Sequence, residues 1–114
     1  MENIIKEKSF RFSVRIVKLC KFLRETKKET VMTKQLLRCG TSIGANIAES
    51  QQAQSRPDFL SKLNIALKEA TEADYWLRLL YETDYLTKEQ FSSIMADCDE
   101  LESLLVSIVK TVKN

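Results

Sequence analysis

Along most of the chain, apolar side chains recur every three or four residues, the period of a helix that buries one face. Phe59, Leu63, Ala66, Ala70, Ala73, Leu77 and Leu80 keep this spacing without a break, which predicts the seam of a bundle helix. Phe91, Ile94, Cys98, Leu101, Leu105, Ile108 and Val112 repeat it in the last quarter of the chain. A third stripe, Phe12, Ile16, Leu19, Cys20 and Leu23, lies on a helix predicted from about Ser9 to Thr26. Leu36, Ile43 and Ile47 mark a fourth, on a helix predicted from an N-cap at Thr33 to about Ala53.

The polar breaks between these stripes are short. "ETKKET" separates the first two helices, and "SRPD" opens the third, with Ser55 as N-cap, Pro57 in the first turn and Asp58 at the capping-box position. "TDYLT" ends the third, and "TKEQ" opens the fourth with Thr87 capping and Gln90 reaching back. Four helices with short connections predict an all-α, antiparallel up-down-up-down four-helix bundle, and 114 residues make it one domain, 1–114.

Two features exceed what a single bundle requires. The first helix is apolar on a second side, where Phe10, Val14 and Val17 line up. A bundle helix buries one face, so the extra stripe predicts a second partner, and a further copy of the same chain is the expected one. The competing reading buries this helix centrally between neighbours of its own subunit. The second helix carries the only two glycines, and Gly40, Gly44 and Ala48 follow one another at four-residue steps. Each glycine costs a helix interior about 1 kcal/mol against alanine, a cost that close backbone packing offsets.

Roughly opposite the glycines stand Arg38, Ser42, Asn46 and Glu49. Ser and Asn are poor mid-helix residues because their side chains compete for backbone hydrogen bonds. Either this is a solvated face, or it forms a network with polar residues flanking the third helix. Asp58, Lys62, Glu69, Glu72 and Trp76 are the available partners; a buried, satisfied network would fix helix register.

Composition narrows the chemistry. The chain is 44% hydrophobic and 30% charged, with one proline and two glycines, too few turn-formers for a many-stranded sheet. Histidine is absent, which removes the commonest general base at neutral pH. Ser42, Arg38 and Glu49 are the only catalytic-looking group, and the serine has no base at helical spacing. Cys20, Cys39 and Cys98 are odd in number and widely spaced, which fits neither a zinc site nor a disulfide frame. Asp97, Asp99, Glu100 and Glu102 spread around the fourth helix rather than converging on a magnesium ion. No leader-like segment opens the chain, and no apolar run reaches the ~18 residues of a membrane span. The expectation is a cytoplasmic, non-enzymatic protein without cofactor, metal or membrane partner.

The net charge of +2 conceals an asymmetry: residues 1–40 hold 11 Lys/Arg and 4 Asp/Glu, whereas residues 41–114 hold 7 and 12. Lys8, Arg11, Arg15 and Lys18 form a basic flank on the first helix, spaced to follow a phosphate backbone. No aromatic platform interleaves with these four, so the pattern predicts sequence-tolerant RNA or nucleic-acid binding at most. The same asymmetry also suits two oppositely charged regions that attract each other.

"LLRCGTSIGANIAES" followed by "DFLSKLNIALKEATEADYWLRLL" resembles the bacterial four-helix-bundle family of 23S rRNA intervening-sequence proteins. The likeness spans nearly the whole chain and is strongest in "TSIGAN" with Glu49 and in Lys68 to Leu80. The chain is also similar to the accessory protein of diversity-generating retroelements, a basic pentameric barrel that associates with a reverse transcriptase and nucleic acid. The resemblance implies a bundle that assembles as a ring-like homopentamer, with RNA or a nucleic-acid-processing protein as partner.

Overall fold

A computed structural model describes the backbone of residues 2–113 and the side chains of residues 4–113. Four helices follow one another: α1 (Glu2–Thr26), α2 (Val31–Ser50), α3 (Arg56–Glu82) and α4 (Lys88–Lys113). Each packs on its sequence neighbour, and α4 returns against α1; no diagonal pair meets among the described residues. The result is an antiparallel four-helix bundle measuring 44 × 20 × 19 Å. The α1–α4 contact is the thinnest of the four.

The predicted stripes fill the core. On α3, Leu63, Ala66, Ala70, Ala73, Leu77 and Leu80 are buried, and Phe59 packs partly against them. Phe12, Ile16, Cys20 and Leu23 enter from α1, Leu36, Cys39, Ile43 and Ile47 from α2, and Ile94, Cys98, Leu101 and Leu105 from α4. Removal of this apolar surface from water is the main force that closes the bundle.

Local hydrogen bonds set the helix ends. The Ser55 hydroxyl accepts from the Asp58 N–H at 3.1 Å, and the Asp58 carboxylate accepts from Gln54 N–H rather than from the cap residue itself. At α4 the box is reciprocal: Gln90 N–H donates to Thr87 Oγ1 at 3.1 Å, and Thr87 N–H donates to Gln90 Oε1 at 2.9 Å. Helix α3 ends in paired bonds from Tyr85 N–H to Leu80 O and from Asp84 N–H to Tyr81 O, with Asp84 left-handed at φ 70°.

Three boundaries depart from the periodicity. Helix α1 starts at Glu2 rather than Ser9, because Ser9 and Ile5 continue the buried face one turn and two turns before Phe12. Helix α2 starts at Val31 rather than after an N-cap at Thr33. The buried Glu29 carboxylate accepts from the N–H groups of Val31, Met32 and Thr33, at 3.1, 2.9 and 2.8 Å, and so caps the helix from outside. Burial alone would raise the Glu29 pKa, but these backbone bonds and the Thr33 hydroxyl outweigh it and hold the group below its ordinary value. Helix α2 also stops at Ser50 rather than Ala53, where residues 51–53 tighten into bonds to the carbonyls three positions back.

Candidate interaction surfaces on the first helix

The bundle does not bury the second stripe of α1. Phe10 is 69% exposed, Val17 48% and Val14 38%. The competing arrangement, with α1 central in its own subunit, therefore does not occur. Beside Phe10 runs a groove of about 570 Å3, floored by Ser13 of α1 and by Thr41, Gly44, Ala45 and Ala48 of α2.

Gly44 lines that groove, while Gly40 is buried beneath α1. A Cβ on Gly40 would lie 2.9 Å from the Ile16 side chain, and one on Gly44 would lie 3.0 Å from Ser13 Oγ and 3.2 Å from the Ser9 carbonyl. Both positions thus bring α1 close to α2. Ala48 does not share this contact; it is exposed and lines the groove. Gly44 and Ala48 carry no side chain longer than a methyl, so the outer side of this contact stays open as the groove.

The basic flank is largely engaged within the subunit. Lys8 Nζ meets Glu100 at 3.2 Å, and Arg11 pairs with Glu7 one turn back. Arg15 donates to Asp97 Oδ2 at 2.7 Å, to the Ser93 carbonyl at 3.2 Å and to Ser93 Oγ at 2.9 Å. Of the four expected phosphate-binding residues, Lys18 alone has no ion-pair partner among the described residues. Two of these four cations therefore close across α1 and α4 of one chain, through Glu100 and Asp97.

Between α2 and α3 the polar residues are joined, at the surface rather than in the interior, so the expectation of a buried network is corrected. Arg38 bonds Glu69 at 3.2 Å and also Glu72, whose carboxylate accepts from the Trp76 indole N–H at 2.9 Å. The bonds from Arg38 and then Trp76 hold Glu72 below the ordinary carboxylate range. Lys62 and Glu49 form a separate pair at 3.0 Å. Ser42 and Asn46 take no part across the helices. The Ser42 hydroxyl donates to the Arg38 carbonyl at 2.7 Å, and the Asn46 amide to the Ser42 carbonyl at 2.8 Å, both within α2. Short polar side chains reach their own helix more readily than a neighbouring one. The Ser42 hydroxyl is thus committed to its own helix, and Arg38 and Glu49 are paired with residues of α3.

The acidic residues of α4 divide between two faces, a grouping that their spacing alone did not reveal. Asp97 and Glu100 turn to α1. Asp99 and Glu102 turn to Asp74 of α3, and the three carboxylates approach within 4.8 Å of one another. Burial, and then the hydrogen bond and charge of Asp74, push Glu102 from 4.5 to about 7. All three cysteines are buried and unpaired.

These features define a class: an all-helical bundle whose polar groups mainly join helices, with an unpartnered apolar face on α1. The chain belongs to the family of 23S rRNA-intervening sequence proteins, whose family model matches residues 1–107. It is similar to a crystal structure from Bacteroides thetaiotaomicron VPI-5482, described as a protein with unknown function from the S23 ribosomal protein family. The two are 60% identical, the match covers 96% of this chain and 97% of that one, and the TM-score is 0.94. No curated protein matches the sequence. Among the described residues, no helix is long and apolar enough to cross a membrane.

Proposed function

We propose that the protein is a non-catalytic helical scaffold that assembles with copies of itself through the outer face of α1. The observation that carries this reading is the exposure of Phe10, Val14 and Val17 on a helix whose opposite face already fills the core. Burying such a side chain contributes roughly 1.5–3 kcal/mol, and repetition around a closed ring multiplies the gain. Five subunits is the number that the resemblance to the intervening-sequence family suggests. Three free, buried cysteines are in keeping with a reducing cytoplasm.

The client of the scaffold is a polyanion, RNA or a nucleic-acid complex with its processing enzyme. Support comes from the stretch Lys18 to Lys28, which holds five cations against the single carboxylate of Glu25. A pure protein–protein module is the second reading, favoured by the ion pairs that occupy Lys8, Arg11 and Arg15.

Light scattering tests the assembly. The expected particle is a multiple of the 13.2 kDa chain, and Val14→Glu should release folded single subunits. A 13.2 kDa wild-type particle at micromolar concentration overturns the proposal.

A further inference from the structure

A second concavity on α1 lies away from the apolar stripe. Arg15, Lys18, Leu19 and Phe22 of α1 and Gln90 and Ile94 of α4 enclose a groove of about 280 Å3. Phe22 stands roughly 120° around the helix from Phe10, so the two surfaces are separate. The floor is apolar: Ile94 is buried and Leu19 packs partly against the core. Phe22 is 41% exposed, and so presents aromatic surface to the groove.

The polar rim has a definite character. The Arg15 guanidinium is held in place by Asp97 and Ser93, so it forms a wall rather than a free charge. Lys18 is free of ion pairs among the described residues. Gln90 spends its carbonyl oxygen on the Thr87 N–H, which leaves its amide N–H2 as the donor side. Farther along α1, Lys21 and Arg24 turn toward α2, where they line a separate depression with Val17 and Leu37 and Arg24 donates to Thr33 Oγ1 at 3.1 Å, so Lys18 is the cation of this groove.

We propose that the α1–α4 groove seats one unstacked base of a single-stranded nucleic acid on Phe22, with Lys18 on the adjoining phosphate. An aromatic ring beside a cation free to meet the adjoining phosphate is the combination by which single strands are held without sequence readout. A duplex keeps its bases stacked and cannot offer one to Phe22, so the groove selects single strands. Lys8 and Arg11 are outside this site, in contrast to the basic flank read from spacing. The proposal rests on the polyanionic client named above and not on the assembly through Phe10, Val14 and Val17.

Fluorescence anisotropy with the full chain tests it, with labelled oligoadenylate RNA, its DNA counterpart and a duplex of the same length as probes. Phe22→Leu keeps an apolar side chain of similar bulk and removes the aromatic face; Phe22→Tyr keeps the face. The expected result is salt-sensitive binding of single strands in preference to duplex. Phe22→Leu should weaken it about 5- to 150-fold, as loss of one base–aromatic stack does, and Phe22→Tyr should retain it. Lys18→Gln should reduce the salt slope by about 0.7 per lost phosphate contact. Unchanged thermal melting of each variant shows the fold intact. Binding that is equal for Phe22→Leu and Phe22→Tyr, or equal for duplex and single strand, overturns the groove but leaves a polyanionic client. No binding of any probe at low salt removes both.

Discussion

Gly40 and Ile16 touch so closely across the α1–α2 contact that a methyl on Gly40 would sit 2.9 Å from Ile16 Cγ2. Ile16 is fully buried and β-branched, so its χ1 has little freedom to yield. Gly40→Ala gains helix propensity of about 1 kcal/mol but overpacks the core, which typically costs 1–3 kcal/mol. The expected net result is a lower denaturant midpoint. Ile16→Ala removes all three atoms that the new Cβ meets, so it should cost less in the Gly40→Ala background than in the wild type, and a midpoint above wild type for Gly40→Ala alone would show that the helices part freely.

Arg15 and Asp97 join the thin α1–α4 contact at 2.7 Å from positions 82 residues apart. A double-mutant cycle of Arg15→Ala and Asp97→Ala should give a coupling of about 0.5–1 kcal/mol that shrinks in high salt. Arg15→Glu should cost more, since it sets a carboxylate against Asp97. A coupling of zero would mean that the pair contributes charge but no cohesion.

Opposite shifts at two kinds of carboxylate should give stability an optimum in mild acid. The native pKa of Glu102 is about 7, above its ordinary 4.5, so the native state binds more protons between these values. Its contribution therefore improves as pH falls from about 7 toward 4.5. Glu29 and Glu72 are shifted down, so their contribution is present above the ordinary value and is lost as pH falls through their native values. Thermal melting against pH should peak near the lower edge of the first window. Glu102→Gln should raise stability at pH 8 by about 1 kcal/mol, a modest figure because the site is only partly buried. A flat profile from pH 5 to 8 in the wild type would contradict the Glu102 assignment.

The thiols should be inert while the chain is folded. Burial pushes Cys20 up to about 11 and Cys39 up to about 12, and raises Cys98 as well, so little thiolate exists at neutral pH. Iodoacetamide labelling at pH 8 should be slow in buffer and complete in denaturant. Rapid labelling of any one cysteine in buffer would reveal local opening of its helix.

Lys28 closes the turn between α1 and α2 at φ 57°, in the left-handed region. Lys28→Gly should stabilise the fold by up to about 1 kcal/mol, because glycine adopts this backbone without a Cβ clash. Scanning calorimetry reads the shift, and a lower melting temperature would show that the lysine side chain contributes something that the strain conceals.

What the sequence determined is local. The unbroken stripe from Leu63 to Leu80 lies inside, because a helical period presents the same face at every turn. The Ser55 and Thr87 caps form as read, since their partners are three residues away. The α1 stripe beginning at Phe12 packs into the core, and the one at Phe10 does not; both were visible, but only packing chose between them. Tertiary structure alone decided the pairs drawn from distant segments: Lys8 with Glu100, Arg15 with Asp97, and Asp74 with Asp99 and Glu102. It also decided that Ser42 and Asn46 turn back on α2 while Arg38 reaches α3. Helix period and capping depend on neighbours within four residues, whereas the register of one helix on another is set by how buried side chains interlock. That interlocking decides which charges on different helices meet.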